Sequence, residues 1–427
     1  MERFEVVLAK DGMQAEIAAC PGPPPSKAEL SEALRIAGIV HGIDATAINR
    51  LCLPGVDTRT IVARGTAALT GKDEQLRPES WHSKLPGKAT PAGMIDYHER
   101  QYLHPIRRSE TLGSIEASTV GTAGMDVRGR VLPGIDGRPL RLRLGDGAVR
   151  KGNAIIAQRD GVALVNEELI DVVPLYTHAS SVGYASGNLH SAGSLLIEGD
   201  VDEGFLAEAD GDIAVTGTVQ GELRAKGSVL VKQGILGKQA VHAGADLTCH
   251  HATNANLRAG GNLVVADHVA QCRIQAKSVL ILDGRAMVRG GQVGARDRIL
   301  VGSAGAVAGT PTLLAVGQLF DERAELARRD ASAQRESRMS KRAADRGRAS
   351  KSNRRAVKAT DHALAEKIRL KRLQRELLRK ATIEITSNCY SGVTIEFGRH
   401  HLEVDRDLHA VTFRFDLETD TIQQSAP

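Results

Sequence analysis

The sequence predicts a mainly β protein organised around a parallel β-helix, and three observations carry that prediction. One short phrase recurs about seven times between Gly187 and Gly317, most clearly at Ala209–Val215, Ala225–Val231, Ala243–Leu247, Ala259–Val265 and Ala295–Val301. Ser191–Ile197 opens the series, and Ala276–Ile281 is a copy one residue short. The key apolar positions Leu195, Ile213, Val229, Leu247, Leu263, Val279 and Ile299 are spaced 18, 16, 18, 16, 16 and 20 residues apart. A near-fixed period of this size marks a solenoid. The 44 glycines suit a turn-dense coil, and an aromatic share of 3% suits a narrow interior.

The physics of one copy is local. Gly, Asp, Asn and Ser turn the chain because they tolerate left-handed or side-chain-bonded backbone. A short alternating strand such as Ile213–Val215 follows, with one apolar face. One coil cannot bury that face alone. Coils stacked about 4.8 Å apart pair each strand with the next copy and close a continuous core. Small residues at Ala209, Ala225, Ala243, Ala259, Ala276 and Ala295 fit a coil with little room inside.

Taken in order, the 427 residues divide into five stretches. Residues 1–70 read as a small α+β module. Phe4–Leu8 and Met13–Ile17 alternate around Asp11-Gly12, a hairpin signal. Ser26 and Glu29 form a capping box ahead of Leu30 and Leu34, and Asp44 caps a second short helix through Leu51. Residues 71–185 read as a β-rich connecting module, with turns at Pro133-Gly134, Asp136-Gly137, Gly145–Gly147 and Asp160-Gly161. Residues 186–317 are the β-helix. Residues 318–380 switch to helix: Phe320, Ala324, Ala327 and Ala331 lie on one stripe, Ala363, Leu370, Leu373 and Leu377 on another, with a breaker at Gly347–Asn353. Two helices joined by a short polar loop pack antiparallel, giving a hairpin roughly 40 Å long. Residues 381–427 return to strands at Ile383–Ile385, Val393–Phe397, His401–Val404 and Val411–Phe415, with a disordered tail after Asp420.

Charge is uneven. The chain carries net +5. Gln318–Lys380 holds 20 Lys/Arg against 9 Asp/Glu, so this stretch is +11 and the rest −6. The five cysteines are scattered with no CxxC, as expected of free thiols in a reducing cytoplasm. No apolar run reaches transmembrane length, and the N-terminus lacks a signal-peptide shape.

The wording and order of these parts resemble the flagellar assembly protein A (FapA) family of bacteria. The resemblance rests on Ser186–Leu189 leading to Gly199–Val201, Gly204-Phe205, Gly211–Ile213, Val219–Gly221 and Gly260–Leu263. Gly38–Asp44, Ile61–Gly65, Gly71–Asp73, Gly124–Gly129 and Tyr390–Ile395 add to it. It implies a right-handed parallel β-helix, a coiled-coil hairpin and a non-catalytic role in flagellar assembly or cell-pole organisation. The partners implied are proteins of the flagellar or polar machinery. The hairpin here is shorter, more Ala-rich and more basic than the Leu/Glu heptads of that family.

Candidate sites follow from residue chemistry. Arg338, Lys341, Arg342, Arg346, Arg348, Lys351, Arg354, Arg355 and Lys358 cluster around the hairpin tip with one acid, Asp345. Such a cluster is a solvated face, or it takes an acidic protein partner, an anionic membrane surface or nucleic acid. The tip has no aromatic residue to stack bases. Gly65–Asp73 fails as a phosphate loop, with five residues between its glycines and Asp after Lys72. On a strand Cys249 and His251 share a face, but no third metal ligand lies at a recognisable spacing; His400-His401 reads the same way. Six-residue spacings at Val229, Ile235, Val241 and Leu247 admit a rival: a left-handed acyltransferase helix with His242, His250 or His268 as base. The 16- and 20-residue intervals argue against it. No catalytic set, metal site or cofactor is expected. The oligomeric state stays open.

Overall fold

Each turn of the solenoid has three sides, and a side-one strand such as Ser194–Ile197 sends two apolar residues, Leu195 and Ile197, into the shared interior. The computed structural model describes residues 5–18, 23–54, 59–78, 87–89, 91, 93–166, 168–281, 286–317 and 375–426. The chain forms two compact units. One is Met1–Ser80 with Glu110–Ile156 and Val165–Ile170; the other is Trp81–Ser109 with Ala157–Leu164 and Asp171–Pro427.

In the first unit, Glu5–Leu8 and Gln14–Ala18 pair antiparallel, and Thr60–Arg64 joins as the third strand. Gly12 takes φ 69° in the connecting turn, which a side chain would disfavour. Helix Lys27–Ile36 begins at the capping box: Ser26 N–H donates to Glu29 Oε2 at 2.9 Å, and Glu29 N–H donates to Ser26 Oγ at 3.3 Å. Asp44 caps helix Ala45–Leu51 by accepting from Thr46 and Ala47 N–H. Ala15, Ile17, Leu30, Leu34, Val62 and Val127 form the core beneath.

The second unit is the solenoid. Side one stacks Tyr176, Leu195, Ile213, Val229, Leu247, Leu263, Val279, Ile299 and Ile383 in parallel register. Side two stacks Leu189, Ala207, Leu223, Val241, Leu257, Ile274, Val293, Leu314 and Ile395. Side three stacks Val182, Val201, Val219, Ile235, Ala252, Val269, Val288, Ala304 and Cys389. Except for half-buried Tyr176, all are buried in one continuous apolar core. The six alanines at 209, 225, 243, 259, 276 and 295 are also buried, and keep the interior narrow.

The turn wording has a steric reason. Asp212 Oδ1 accepts Ser228 N–H at 2.7 Å, and Asp246 Oδ1 accepts Asn262 N–H at 2.7 Å, each bond joining one turn to the next. Ser194 Oγ does the same for Asp212 N–H at 3.0 Å. The side chain that makes this bond fills the space over the glycine one turn on: a methyl at Gly227 would sit 2.2 Å from Asp212 Oδ1, and one at Gly261 would sit 2.3 Å from Asp246 Oδ1. Gly followed by Asp, Asn or Ser is therefore one device repeated.

The solenoid runs beyond Gly317, where its sequence pattern stops. Strand Thr382–Cys389 stacks in parallel on the side-one strand before it, with Ile299 opposite Ile383. Strand Val393–Phe397 stacks on Thr312–Val316 of side two. Residues 318–374 are thus inserted within one turn. Both ends of the insertion are described: Gly317 takes φ 83°, and residues 375–380 are helical with Leu378 buried. A methyl on Gly317 would sit 2.5 Å from Leu378 Cδ2, so the chain leaves and returns at nearly the same place.

Both ends of the stack are covered. At the first, Asn188 N–H donates to the His98 carbonyl at 2.7 Å, and the His98 ring packs 4.8 Å from Phe205. At the last, Leu408–Asp416 turns antiparallel on Thr382–Cys389, and His400–Glu403 turns antiparallel on Val393–Phe397. Thr421–Ser425 forms a strand, correcting the expectation of disorder there: it pairs antiparallel with Thr412–Asp416, and Ile422 packs on the core. A paired partner strand satisfies backbone that would otherwise need water. Among the described residues no helix is long and apolar enough to cross a membrane.

Candidate functional site on the solenoid faces

Because side chains alternate along a strand, each inward column has outward neighbours, and the three sides differ in chemistry. On side two, His190, Glu208, Arg224, His242 and Arg258 follow one another in register. Glu208 Oε2 lies 3.1 Å from His190 Nδ1, and Arg224 pairs with Glu222. Partial burial of the His242 ring, and then the Arg258 and Arg224 charges, lower its pKa.

Side three carries a histidine pair. His251 and His268 lie on consecutive turns, where Ala252 faces Val269. Their rings stack at 5.3 Å with 9° between planes, and His250 lies 5.9 Å from His251. Asp267 Oδ2 holds His268 Nδ1 at 2.7 Å. A methyl at Gly234 would sit 2.1 Å from His251 Nε2, so that ring lies over bare backbone. Burial, then His268 and His250, lower the His251 pKa. Among the described residues, no group of three or more His, Cys, Asp or Glu is placed to hold a metal ion.

Cys249 and His251 do not share a face: Cys249 points inward, 1% exposed, while His251 belongs to the next side. The chain rounds a corner at exposed His250, which breaks the alternation. Burial pushes the Cys249 thiol up to about 12, so it is neither a ready metal ligand nor a nucleophile. His242 lies on side two, apart from the His250, His251 and His268 group. His400 faces Phe397 across the closing strands. Gly65–Asp73 runs into strand Gln75–Pro78 rather than a helix. Its Gly71 is needed for close crossing, since a methyl there would meet the Thr119 carbonyl at 1.9 Å. The nine basic residues from Arg338 to Lys358 lie outside the described residues.

Side one carries an apolar column on its outer surface, between polar flanks. Leu196, Ala214, Leu230, Thr248, Val264, Leu280 and Leu300 stand in one outward column. Thr177 precedes it and Glu384 closes it. Leu230 is 44% exposed and the others are half-buried. Sequence reading missed this column, although its signal was the residue after each key apolar position.

Two family models match the chain. The Flagellar Assembly Protein A beta solenoid domain matches residues 174–422, and the Flagellar Assembly Protein A N-terminal region matches residues 4–168. No curated protein and no solved structure matches it.

Proposed function

The chain belongs to the flagellar assembly protein A family, and from that premise we propose that it is a non-catalytic scaffold in flagellar assembly or cell-pole organisation. The observation that carries this reading is a family match that takes in both the N-terminal region and the whole solenoid. In this reading the solenoid is a rigid body, wound right-handed as in the family. Its interior is filled by stacked apolar side chains, which suits a support better than a substrate chamber. The segment 318–374, inserted within one turn and rich in basic residues, is the presenting element; the helical hairpin expected there lies outside the described residues. Its partners are acidic surfaces of proteins in the flagellar or polar machinery, and the protein works in the cytoplasm, at the pole.

A clean deletion tests the role. Motility and flagellar number should fall, and a chain lacking 318–374 should fail to restore them although it accumulates normally. Intact motility in the deletion strain would refute the role; full rescue by the shortened chain would refute the hairpin as presenting element. Reversal of Arg346, Arg348, Arg354 and Arg355 to Glu separates partner classes. Loss of binding to duplex DNA or anionic vesicles at low salt would move the reading to a nucleic-acid or membrane binder.

A further inference from the structure

The outward column of side one is an apolar strip on a regular sheet face. Isolated exposed apolar residues are ordinary, but a contiguous strip calls for a covering partner. We infer that a second copy of this chain covers it, the two solenoids packing side one to side one with their turns running in opposite directions.

Size, symmetry and charge point to that occupant. The side-one stack has eight steps from Tyr176 to Ile383. At about 4.8 Å per step and roughly 13 Å of strand width, the whole face, polar flanks included, offers about 500 Å² per copy. Two copies bury roughly 1,000 Å², the lower edge for a specific interface and a fit for a weak dimer. The column is balanced about Thr248. In the reversed arrangement Thr248 meets its own copy, Leu230 meets Val264, Ala214 meets Leu280, and Leu196 meets Leu300. Polar Thr177 meets Glu384 at either end, so no apolar position faces a charge.

Charge chooses the reversed arrangement over the parallel one. Exposed Glu198 and Asp212 border the first turns of this face; exposed Lys277 and Arg298 border the last, where Arg298 is ion-paired to Glu384 at 2.6 Å. Lys232 and Asp246, of opposite sign, lie between. Parallel packing would set Glu384 of one copy against Glu384 of the other, whereas reversal sets it against Thr177. The inference uses solenoid residues alone and stands apart from the flagellar role.

Sedimentation velocity of the full chain from about 1 to 200 μM tests it, the range expected for an interface of this size. A concentration-dependent dimer is expected. Leu230→Glu and Val264→Glu point outward, so they should spare the fold and weaken the dimer at least tenfold each, while Arg224→Glu on side two should not. Oxidative cross-linking fixes the direction. Thr248→Cys alone should link two copies, Leu196→Cys alone should not, and Leu196→Cys with Leu300→Cys in one chain should. The wild-type chain gives the blank. A monomer throughout overturns the inference; hydrogen exchange would then show whether residues 318–374 protect the strip or leave it bare for another protein. A dimer that survives both Glu variants, or efficient linking through Leu196→Cys alone, also overturns it.

Discussion

The corner device can be tested by a double-mutant cycle on Gly227 and Asp212. Asp212 Oδ1 accepts Ser228 N–H at 2.7 Å, and a methyl on Gly227 would sit 2.2 Å from that same oxygen. Its next contacts, the carbonyl carbon and oxygen of Gly211, are at 3.0 Å and need only small shifts. Gly227→Ala must therefore displace the Asp212 carboxylate and break its bond. Overpacking of this kind costs about 2 kcal/mol. Asp212→Ala loses a charge-assisted bond at an exposed corner where water can replace it, about 1.5 kcal/mol. In the double variant the methyl enters space already vacated. The expected total is about 2 kcal/mol against an additive value near 3.5, a coupling of about 1.5 kcal/mol. Urea denaturation followed by far-UV circular dichroism measures it. Additivity within about 0.5 kcal/mol would refute the steric argument.

Three further outcomes follow from the same structure. Leu257 is fully buried in the side-two column, so Leu257→Ala should destabilise the solenoid by about 2–5 kcal/mol, read from the same urea transition. Replacing 318–374 by a short Gly/Ser link should leave the β signal and the transition unchanged, because Gly317 and Leu378 are already neighbours; loss of the transition would mean that the insertion helps hold the turns. The His251 ring is harder to protonate in the folded chain than unfolded, where it titrates near about 6.5; burial is the first cause, then His268 and His250, with Asp267 opposing. Stability should therefore fall as pH drops below about 6.5 toward the lower folded value. His251→Gln should flatten that slope in melts at pH 5.5 and 7.5, and an unchanged slope would count against the assignment.

Much of the architecture was legible because turn chemistry repeats. Gly193-Ser194-Leu195 and Gly211-Asp212-Ile213 each carry the glycine, the bonding side chain and the inward apolar residue in order. The three-sided section was harder to read. Val219 to Leu223 is only four residues, and Leu247 to Ala252 to Leu257 moves in fives, so strict six-residue spacing fails while the stacking holds. Small inward residues such as Ala252 and Cys389 weaken the hydrophobic signal further. The last turn was hidden because 318–374 separates Ile299 from its stacking partner Ile383. The His251–His268 pair and the apolar strip become visible only when residues one turn apart are compared, since neither is local in sequence.

The claim on which the rest depends is that the stack continues in register across the insertion. Leu300 and Glu384 are paired outward neighbours on either side of it. Adjacent parallel strands bring such positions within disulfide reach, about 4.4–6.8 Å between Cα atoms. Leu300→Cys with Glu384→Cys in one chain should oxidise readily, and peptide mapping should recover 300 joined to 384 as the main linked species. Free thiols at both positions, or pairing elsewhere, would mean that the strands after the insertion do not complete the solenoid.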